Sequence, residues 1–513
     1  MSSPTAAAHR ELSRTGSDPR SEMVDEPKAA VGHDQAHLEA MPMPTSIRDM
    51  TEDERGAIIR KMVRKMDMVI MPIIALLYIL NYIDRQNLAA AKLQGILTDL
   101  HLSTTQFATA ISILFVGYIP FQVPSNLLIS RVPRPGLYIC CAVILWGSVS
   151  ACTAAVKTYG QLIAVRILLG MTEAVFFPGV IYFLSAWYTK QELGKRLAGL
   201  FIGQQLGNAF GGLIAAGVLK LNGVHGIAGW RYLFIVKGVA TIGVGAISAL
   251  LMPEYPHNAR LLSPIERDLA VWRIESEGGV GEAHEQISTW RGFYLVMTDP
   301  KLYLLVFCMI LSQGLGSISN WFPSIVQTLG YNSTDTLLLT APPYLFACIW
   351  FYVMTLYSDR KDKMYTPIMF CVGVMVVALV IPLATLNTGA RYFAMMLMPS
   401  AAVGPQVILY KTLNLHLARP YPKRAAGTAL LNAIGGTSNI WASYMYINPP
   451  HYYIAFGTLL AIDVVFAVVI TVYKVWVGRE NRKLDQGGDK AKETMKGGVT
   501  QQQIDLGWRY VGY

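Results

Sequence analysis

Two residues in the first half of the chain have the types and spacing that acid–base and ion chemistry needs. Arg166 and Glu173 lie seven residues apart within an apolar stretch, 160–186. Seven residues are almost two helical turns, so both side chains share one helix face, about 10 Å apart along the axis. A guanidinium is permanently charged and grips a carboxylate through two parallel hydrogen bonds. A carboxyl withdrawn from water favours its neutral form, which suits Glu173 to take up and release a proton. An arginine for an anion and a glutamate for a proton make a symport pair. A structural bridge between helices is the other reading.

A second polar cluster precedes them. Asp84 and Arg85 are followed by Asn87, and Asn81 extends the same polar face. Arg85 is a candidate second anion contact, and Asp84 either pairs with it or moves a proton. The alternative is a helix end whose long side chains reach for the membrane surface. Further on, Gly203, Gly207 and Gly211 recur every fourth residue, which permits close helix contact. Gln204, Gln205 and Asn208 sit between them and are candidates to face a substrate. The second half offers amides and aromatics instead: Gln313, Asn320 and Trp321, then Gln406 and Tyr410, then Asn432, Asn439 and Tyr444. Such groups could select the body of a small molecule, and each could equally tie helices together. Asp463 is a lone acid with no assigned role.

The elements that must position these groups follow from composition. The chain has 513 residues, 53% of them hydrophobic and 15% charged, with a mean hydropathy of +0.37. Soluble domains carry roughly a quarter charged residues. The apolar residues fall in stretches near 20 residues, the length that crosses about 30 Å of hydrocarbon. Twelve spans are expected, at about 68–90, 107–129, 137–156, 160–186, 197–219, 232–252, 302–325, 337–357, 365–385, 392–414, 425–446 and 453–476. The polar stretch 253–301 divides them six and six. Residues 1–60 read as a disordered tail running into an interfacial helix, with Thr51 and Glu54 forming a capping box at its start. Residues 61–252 and 302–476 form the two halves, and 477–513 a second tail. All six cysteines lie in apolar segments without metal-site spacing.

Charge sets the expected orientation. The net charge is +10, but the basic residues sit between apolar spans, which speaks for membrane topology and against nucleic-acid binding. With the N-terminus in the cytoplasm, the short cytoplasmic loops hold Arg131 and Arg134, then Lys190, Lys195 and Arg196, then Arg360, Lys361 and Lys363, then Arg419, Lys423 and Arg424. The opposite loops hold fewer: Lys92, Lys157, Lys220, Arg231 and Arg391. Both termini are therefore expected inside. Asn332 in Asn332-Ser333-Thr334 is a glycosylation sequon on the outer side of this topology.

The halves also show signs of a repeat, since basic residues lie three apart after spans two and eight. The second of these loops reads Ser358-Asp359-Arg360-Lys361-Asp362-Lys363. This resembles the G-x-x-x-D-R-x-G-R/K loop of the major facilitator superfamily, with Asp359, Arg360 and Lys363 matching. The first copy departs from the pattern, with Asn126 and Ser130 at the Gly and Asp positions and Arg131 following. The stretches N-Y-I-D-R-Q-N at 81–87, G-Y-I-P-F-Q-V-P-S-N-L-L at 117–128, R-I-L-L-G-M-T-E-A-V-F-F-P-G-V-I-Y at 166–182 and A-G-W-R-Y-L-F-I at 228–235 resemble the fungal anion:cation symporters of the allantoate and nicotinate permease group. The ending W-R-Y-V at 508–511 resembles that group too. The resemblance implies a gating role for Asp359, Arg360, Lys363 and Arg131. It also implies that Asp84, Arg85 and Asn87 line a central cavity. The sialin-like anion transporters share an Arg and a Glu at the spacing of Arg166 and Glu173. Drug:proton antiporters of the superfamily carry a Pro where Asn208 stands, which counts against drug efflux.

The expected fold is all-α, twelve transmembrane helices in two pseudo-symmetric six-helix halves. The expected function is proton-coupled uptake of a small organic anion by a monomer, with no cofactor, no metal and no enzymatic activity. Substrate contacts fall to Arg166, Arg85, Asn87, Gln204, Asn208 and Asn320, and proton coupling to Glu173 and Asp84. The plasma membrane is expected before the vacuolar membrane. Efflux of a fungal metabolite by proton antiport is the alternative, and a non-transporting nutrient sensor the remaining one. Neither the central loop nor the tail is long enough for a signalling domain.

Overall fold

The structure, a computed structural model, describes residues 44–129, 131–282, 289–417, 421–448 and 451–497, with residues 504, 509, 510 and 512 of the tail. The segment up to residue 43, Ser130, Arg419, Trp508 and Val511 lie outside the described residues. Among the described residues there are helices and no strands. Twelve helices form the bundle. The first six are α1 (Glu52–Leu93), α2 (Thr104–Ile129), α3 (Pro135–Cys152), α4 (Tyr159–Ser185), α5 (Lys190–Leu219) and α6 (Gly229–Leu251). The second six are α7 (Pro300–Gln327), α8 (Ala341–Lys361), α9 (Tyr365–Ala384), α10 (Thr388–His416), α11 (Tyr421–Gly436, continued by Ser438–Ala442) and α12 (Tyr453–Gln486).

Among the described residues, ten helical stretches are long and apolar enough to cross a membrane. The other two bundle helices, α5 and α11, fall short for physical reasons. Helix α5 carries Gln204, Gln205 and Asn208 among its glycines, and α11 is broken after Gly436. Residues that face a polar cavity lower the mean hydropathy of the helix that bears them. Large apolar side chains such as Leu250, Val239, Ile349 and Val468 lie exposed on the outside of the bundle. This is a multi-pass integral membrane protein.

One expectation is corrected at the start of α1. The interfacial helix and the first span are one continuous helix of 42 residues, about 63 Å long at 1.5 Å per residue. The capping box is present, with Thr51 Oγ1 accepting from the Glu54 N–H and the Glu54 carboxylate accepting from the Thr51 N–H at 3.0 Å. The extra turns stand beyond the bundle and pack on a helix at Pro264–Glu282, inside the segment expected to be a loop. Lys65 meets Glu266 at 2.6 Å, Arg273 meets Glu192 at 2.9 Å, and Ser46 donates to Asp268 at 2.7 Å. Burial works against the charge on Glu266, but the Lys65 ammonium and the Ser263 N–H outweigh it and hold the carboxyl below its usual range. Helix α12 likewise runs to Gln486, past the expected end of the last span.

The two halves repeat one packing plan. In the first, α1 packs on α5 and α6, α2 on α4, and α3 on α4 and α6. In the second, α7 packs on α11 and α12, α8 on α10, and α9 on α10 and α12. Each pairing has its counterpart six helices later. The halves meet through α5 on α8 and through α2 on α11.

The two ends of the bundle differ. Call the end at which α1 and α7 begin the near face. There the apolar core is split into two clusters. One, around Met66, Phe183 and Trp187, belongs to the first half; the other, around Leu305, Leu413 and Tyr473, belongs to the second. At the far face one large cluster joins Phe107 and Trp230 to Trp321, Tyr344 and Tyr446, and a smaller one joins Leu93 and Val218 to Leu337. Polar contacts cross there as well. Ser112 donates to the Ile440 carbonyl at 2.8 Å, Thr109 and Tyr444 hydroxyls lie 3.0 Å apart, and Ser333 donates to the Leu93 carbonyl at 3.2 Å. The Lys92 ammonium sits 4.5 Å from the Trp321 ring centroid. The halves are therefore zipped together at the far face.

Candidate functional site

Three helices break where they pass the middle of the bundle. In α4 the helical pattern stops after Glu173 and resumes at Phe176. Pro178 is the cause, since it has no N–H for the Ala174 carbonyl four residues back. Helix α7 tightens to a 3-10 turn at Ser317–Trp321, around the Ser319 carbonyl with which the Pro323 ring would clash in a regular α-helix. Helix α11 breaks at the Gly435-Gly436 pair. Broken helices expose backbone and side-chain polar groups to a cavity at mid-depth.

The cavity lies between the halves and measures ≈ 150 Å³. Its wall from the first half holds Asn81, Tyr82, Arg85, Tyr118, Gln122, Gln204 and Asn208; the second half supplies Gln313, Asn320, Gln406, Tyr410, Asn432 and Asn439. Arg85 is the one charged side chain in that described lining. Its guanidinium lies over the Tyr118 ring at 4.7 Å and the Tyr82 ring at 5.4 Å. One link crosses the cavity, Asn432 donating to Gln122 at 3.1 Å, and Tyr410 on the same wall holds Asn432 by donating to it at 2.9 Å.

Glu173 is buried, and its Oε2 accepts from Arg85 Nε at 3.0 Å. Its Oε1 has no hydrogen-bond partner. Arg166 is also buried and donates through Nε to the Ala110 carbonyl at 3.0 Å, while its Nη1 is without a partner. Arg166, Arg85 and Asn320 line one small recess next to the main cavity. Arg166 and Glu173 thus share a helix face without bonding each other. Glu173 bonds across to α1, and Arg166 presents an unspent donor.

Several expected site residues come together here and others do not. Arg85, Arg166, Gln204, Asn208 and Asn320 line the cavity or its recess. Asn208 bridges Gln86 and Gln205, each at 3.2 Å, and Asn320 donates to Asn439 at 3.3 Å. Asp84 and Asn87 are not in that lining. Adjacent residues on a helix point about 100° apart. While Arg85 faces the cavity, Asp84 points into the first half and accepts from Asn87 at 3.1 Å and from Trp146 Nε1 at 3.0 Å. Of the gating set, Asp359 meets Lys411 at 2.6 Å within the second half, while Arg131, Arg360 and Lys363 are exposed. Asn332 is exposed, and its side chain caps the helix Ser333–Leu339 by accepting from the Asp335 N–H at 2.8 Å.

Sequence reasoning passed over Tyr82, Tyr118 and Gln122, which form the wall around Arg85. It also passed over Lys237 on α6, which is buried. A lone lysine in the middle of an apolar span was the available signal.

Two six-helix halves around a polar mid-depth cavity, zipped at one face, define a carrier of small molecules. The family model of the Major Facilitator Superfamily matches residues 74–443, and the chain belongs to that superfamily. It is similar to an uncharacterized transporter of Schizosaccharomyces pombe, with 33% identity over 82% of this chain and 87% of that protein. It is also similar to the MFS-type transporter cnsO of Penicillium expansum, at 29% identity over 88% of this chain and 89% of the relative. The major facilitator-type transporter hxnP of Emericella nidulans matches at 29% over 88% and 93%. Among solved structures, the inward open xylose transporter XylE from E. coli aligns with a TM-score of 0.60 at 13% identity, covering 77% of this chain and 95% of that one. A bacterial homolog of the human lysosomal transporter Spinster aligns at 0.58 and 14%, over 80% and 96%. At those identities the likeness is one of fold. The protein is a secondary transporter.

Proposed function

We propose that this chain couples the uptake of a small organic anion, a carboxylate such as nicotinate, allantoate or pantothenate, to the entry of a proton. The observation that carries the reading is the position of Arg85, which is held by Glu173 on one side and faces the cavity on the other. The termini are assigned to the cytoplasm, so the near face is the inner one and the far face the outer one. The zipped far face then makes this an inward-facing form.

In the empty carrier Glu173 neutralises Arg85. A proton that binds Glu173, whose Oε1 is free to receive it, removes that anion and turns the Arg85 charge toward the cavity. A substrate carboxylate then takes the place of Glu173, with the unspent Nη1 of Arg166 as its second donor. Proton and anion thereby favour each other's binding. On the inner side the proton leaves, Glu173 returns to Arg85, and the anion is displaced. The buried charges of the first half fit this cycle. Buried Arg166 and Lys237 with half-buried Arg85 outnumber buried Asp84 and Glu173 by one, and one proton with one monoanion leaves that sum unchanged. The amides and Tyr410 of the second half are assigned to the substrate's body, and Asp359, Arg360, Lys363 and Arg131 to the inner gate.

The test is uptake of labelled nicotinate, allantoate and pantothenate by cells without their own carriers, in acidic and neutral medium, with and without an uncoupler. Acid-stimulated, uncoupler-sensitive accumulation of one acid is expected. Glu173→Gln is expected to lower accumulation to the level of the medium while exchange continues. Full accumulation by that variant would refute the assignment of Glu173, and proton flux opposite to substrate flux would replace uptake with efflux.

A further inference from the structure

We infer that Lys237 on α6 is the fixed countercharge of Asp84 on α1, and that of the two buried acids in the first half only Glu173 carries a proton. The second clause rests on the proposed symport; the pair itself does not.

The two carboxyls are built differently. Both Asp84 oxygens are occupied. Oδ1 accepts from Asn87 Nδ2 at 3.1 Å and from Ser150 Oγ at 3.5 Å; Oδ2 accepts from Trp146 Nε1 at 3.0 Å and from Thr241 Oγ1 at 3.4 Å. An indole N–H and an amide NH₂ can only donate. A proton added to Asp84 would have to be accepted by the Ser150 or Thr241 hydroxyl, reversing the bond that each gives to the carboxylate. Glu173 has the opposite arrangement, with one oxygen on Arg85 and the other without a partner. One acid is enclosed by donors and the other has a vacant acceptor.

A carboxylate enclosed in the bundle interior needs a countercharge. Arg85 is adjacent in sequence but is engaged with Glu173. The charged groups near Asp84 on the packed helices are Arg166 and Glu173 on α4 and Lys237 on α6; α3 contributes only Trp146 and Ser150. Arg166 is turned to the Ala110 carbonyl and the recess. Lys237 stands one helical turn before Thr241, on the face of α6 that meets Asp84, and is 3% exposed. Its ammonium donates to the Gly211 carbonyl of α5 at 3.3 Å, and it attracts Asp84 across the buried interior. Lys237 and Asp84 line neither the cavity nor its recess. They tie α1, α3, α5 and α6 together and so fix the helix from which Arg85 reaches the cavity. Lys237 is a positioning residue.

The test is a double-mutant cycle on the purified full chain with Asp84→Asn, Lys237→Met and both together. Each single change is expected to lower Tm, and the double variant to recover more than half of the loss. Single variants that fail to fold while the double variant folds give the same answer. Losses that simply add would overturn the pair. The second readout is the pH profile of labelled nicotinate, allantoate and pantothenate uptake. The double variant is expected to keep the acid stimulation of the native chain, while Glu173→Gln loses it. A folded, surface-expressed double variant with a flat profile would make Asp84 a proton carrier and overturn the second clause. If the native chain moves none of the three acids, the symport reading fails with its second clause, and the thermal cycle still decides the pair.

Discussion

Arg85 is a single guanidinium claimed by two anions, one on the protein and one in transit, and that competition is the proposed coupling. Arg166 is its partner in the claim, and its role depends on geometry more than on charge. Arg166→Lys keeps the charge and loses the fork. Its expected effect is an approximately tenfold rise in the substrate concentration for half-maximal uptake, equivalent to about 1.4 kcal/mol, with the protein still at the cell surface. An unchanged concentration dependence would show that Arg166 does not touch the anion. At this scale the sequence displayed Arg166 and Glu173, because ionisable residues inside an apolar stretch stand out and their spacing fixes a shared face. It did not display the partner of Glu173. That partner lies 88 positions earlier in the chain, and only the folded bundle, in which side chains of α1 and α4 meet, brings it within reach.

Helix α5 shows what an element can hide inside one motif. Gly203, Gly207 and Gly211 look alike in sequence, yet a side chain would meet different neighbours at each. A Cβ at Gly203 would lie 3.6 Å from Tyr78, an ordinary contact. A Cβ at Gly207 would lie 2.8 Å from the Ile79 carbonyl and from Tyr82 Cβ, closer than atoms pack. Gly203→Ala is therefore expected to leave Tm unchanged. Gly207→Ala is expected to force α5 away from α1 and to cost about 1–3 kcal/mol, read as a lower Tm of the purified protein. Equal behaviour of the two variants would refute the close approach. The break in α4 is of the same kind. Pro178 announces it in the sequence, but that it falls directly after Glu173 matters only because Glu173 faces a cavity.

At the scale of the whole molecule, function depends on which end of the bundle is closed. Trp321 is 1% exposed at the far face, between Phe107, Tyr446 and the Lys92 ammonium. Trp321→Ala removes the ring on which the two halves meet. It is expected to raise labelling of a cysteine placed in the cavity wall at Phe115 by a membrane-impermeant thiol reagent added from outside. Labelling no faster than in the native background would show that Trp321 does not hold that face shut. The sequence by itself determined the class of the protein: twelve helices, two halves, and the spans that carry the charges. Hydrophobic length and periodicity are local properties, and the bilayer leaves a long apolar segment no other regular structure than a helix. The tertiary structure decided the rest. It paired Glu173 with Arg85 and enclosed Asp84 near Lys237. It also joined the first span to its surface helix and closed the far face while the near face stayed divided. Those outcomes depend on how helices distant in the chain pack and rotate against one another, and no local pattern records the rotation of one helix relative to another.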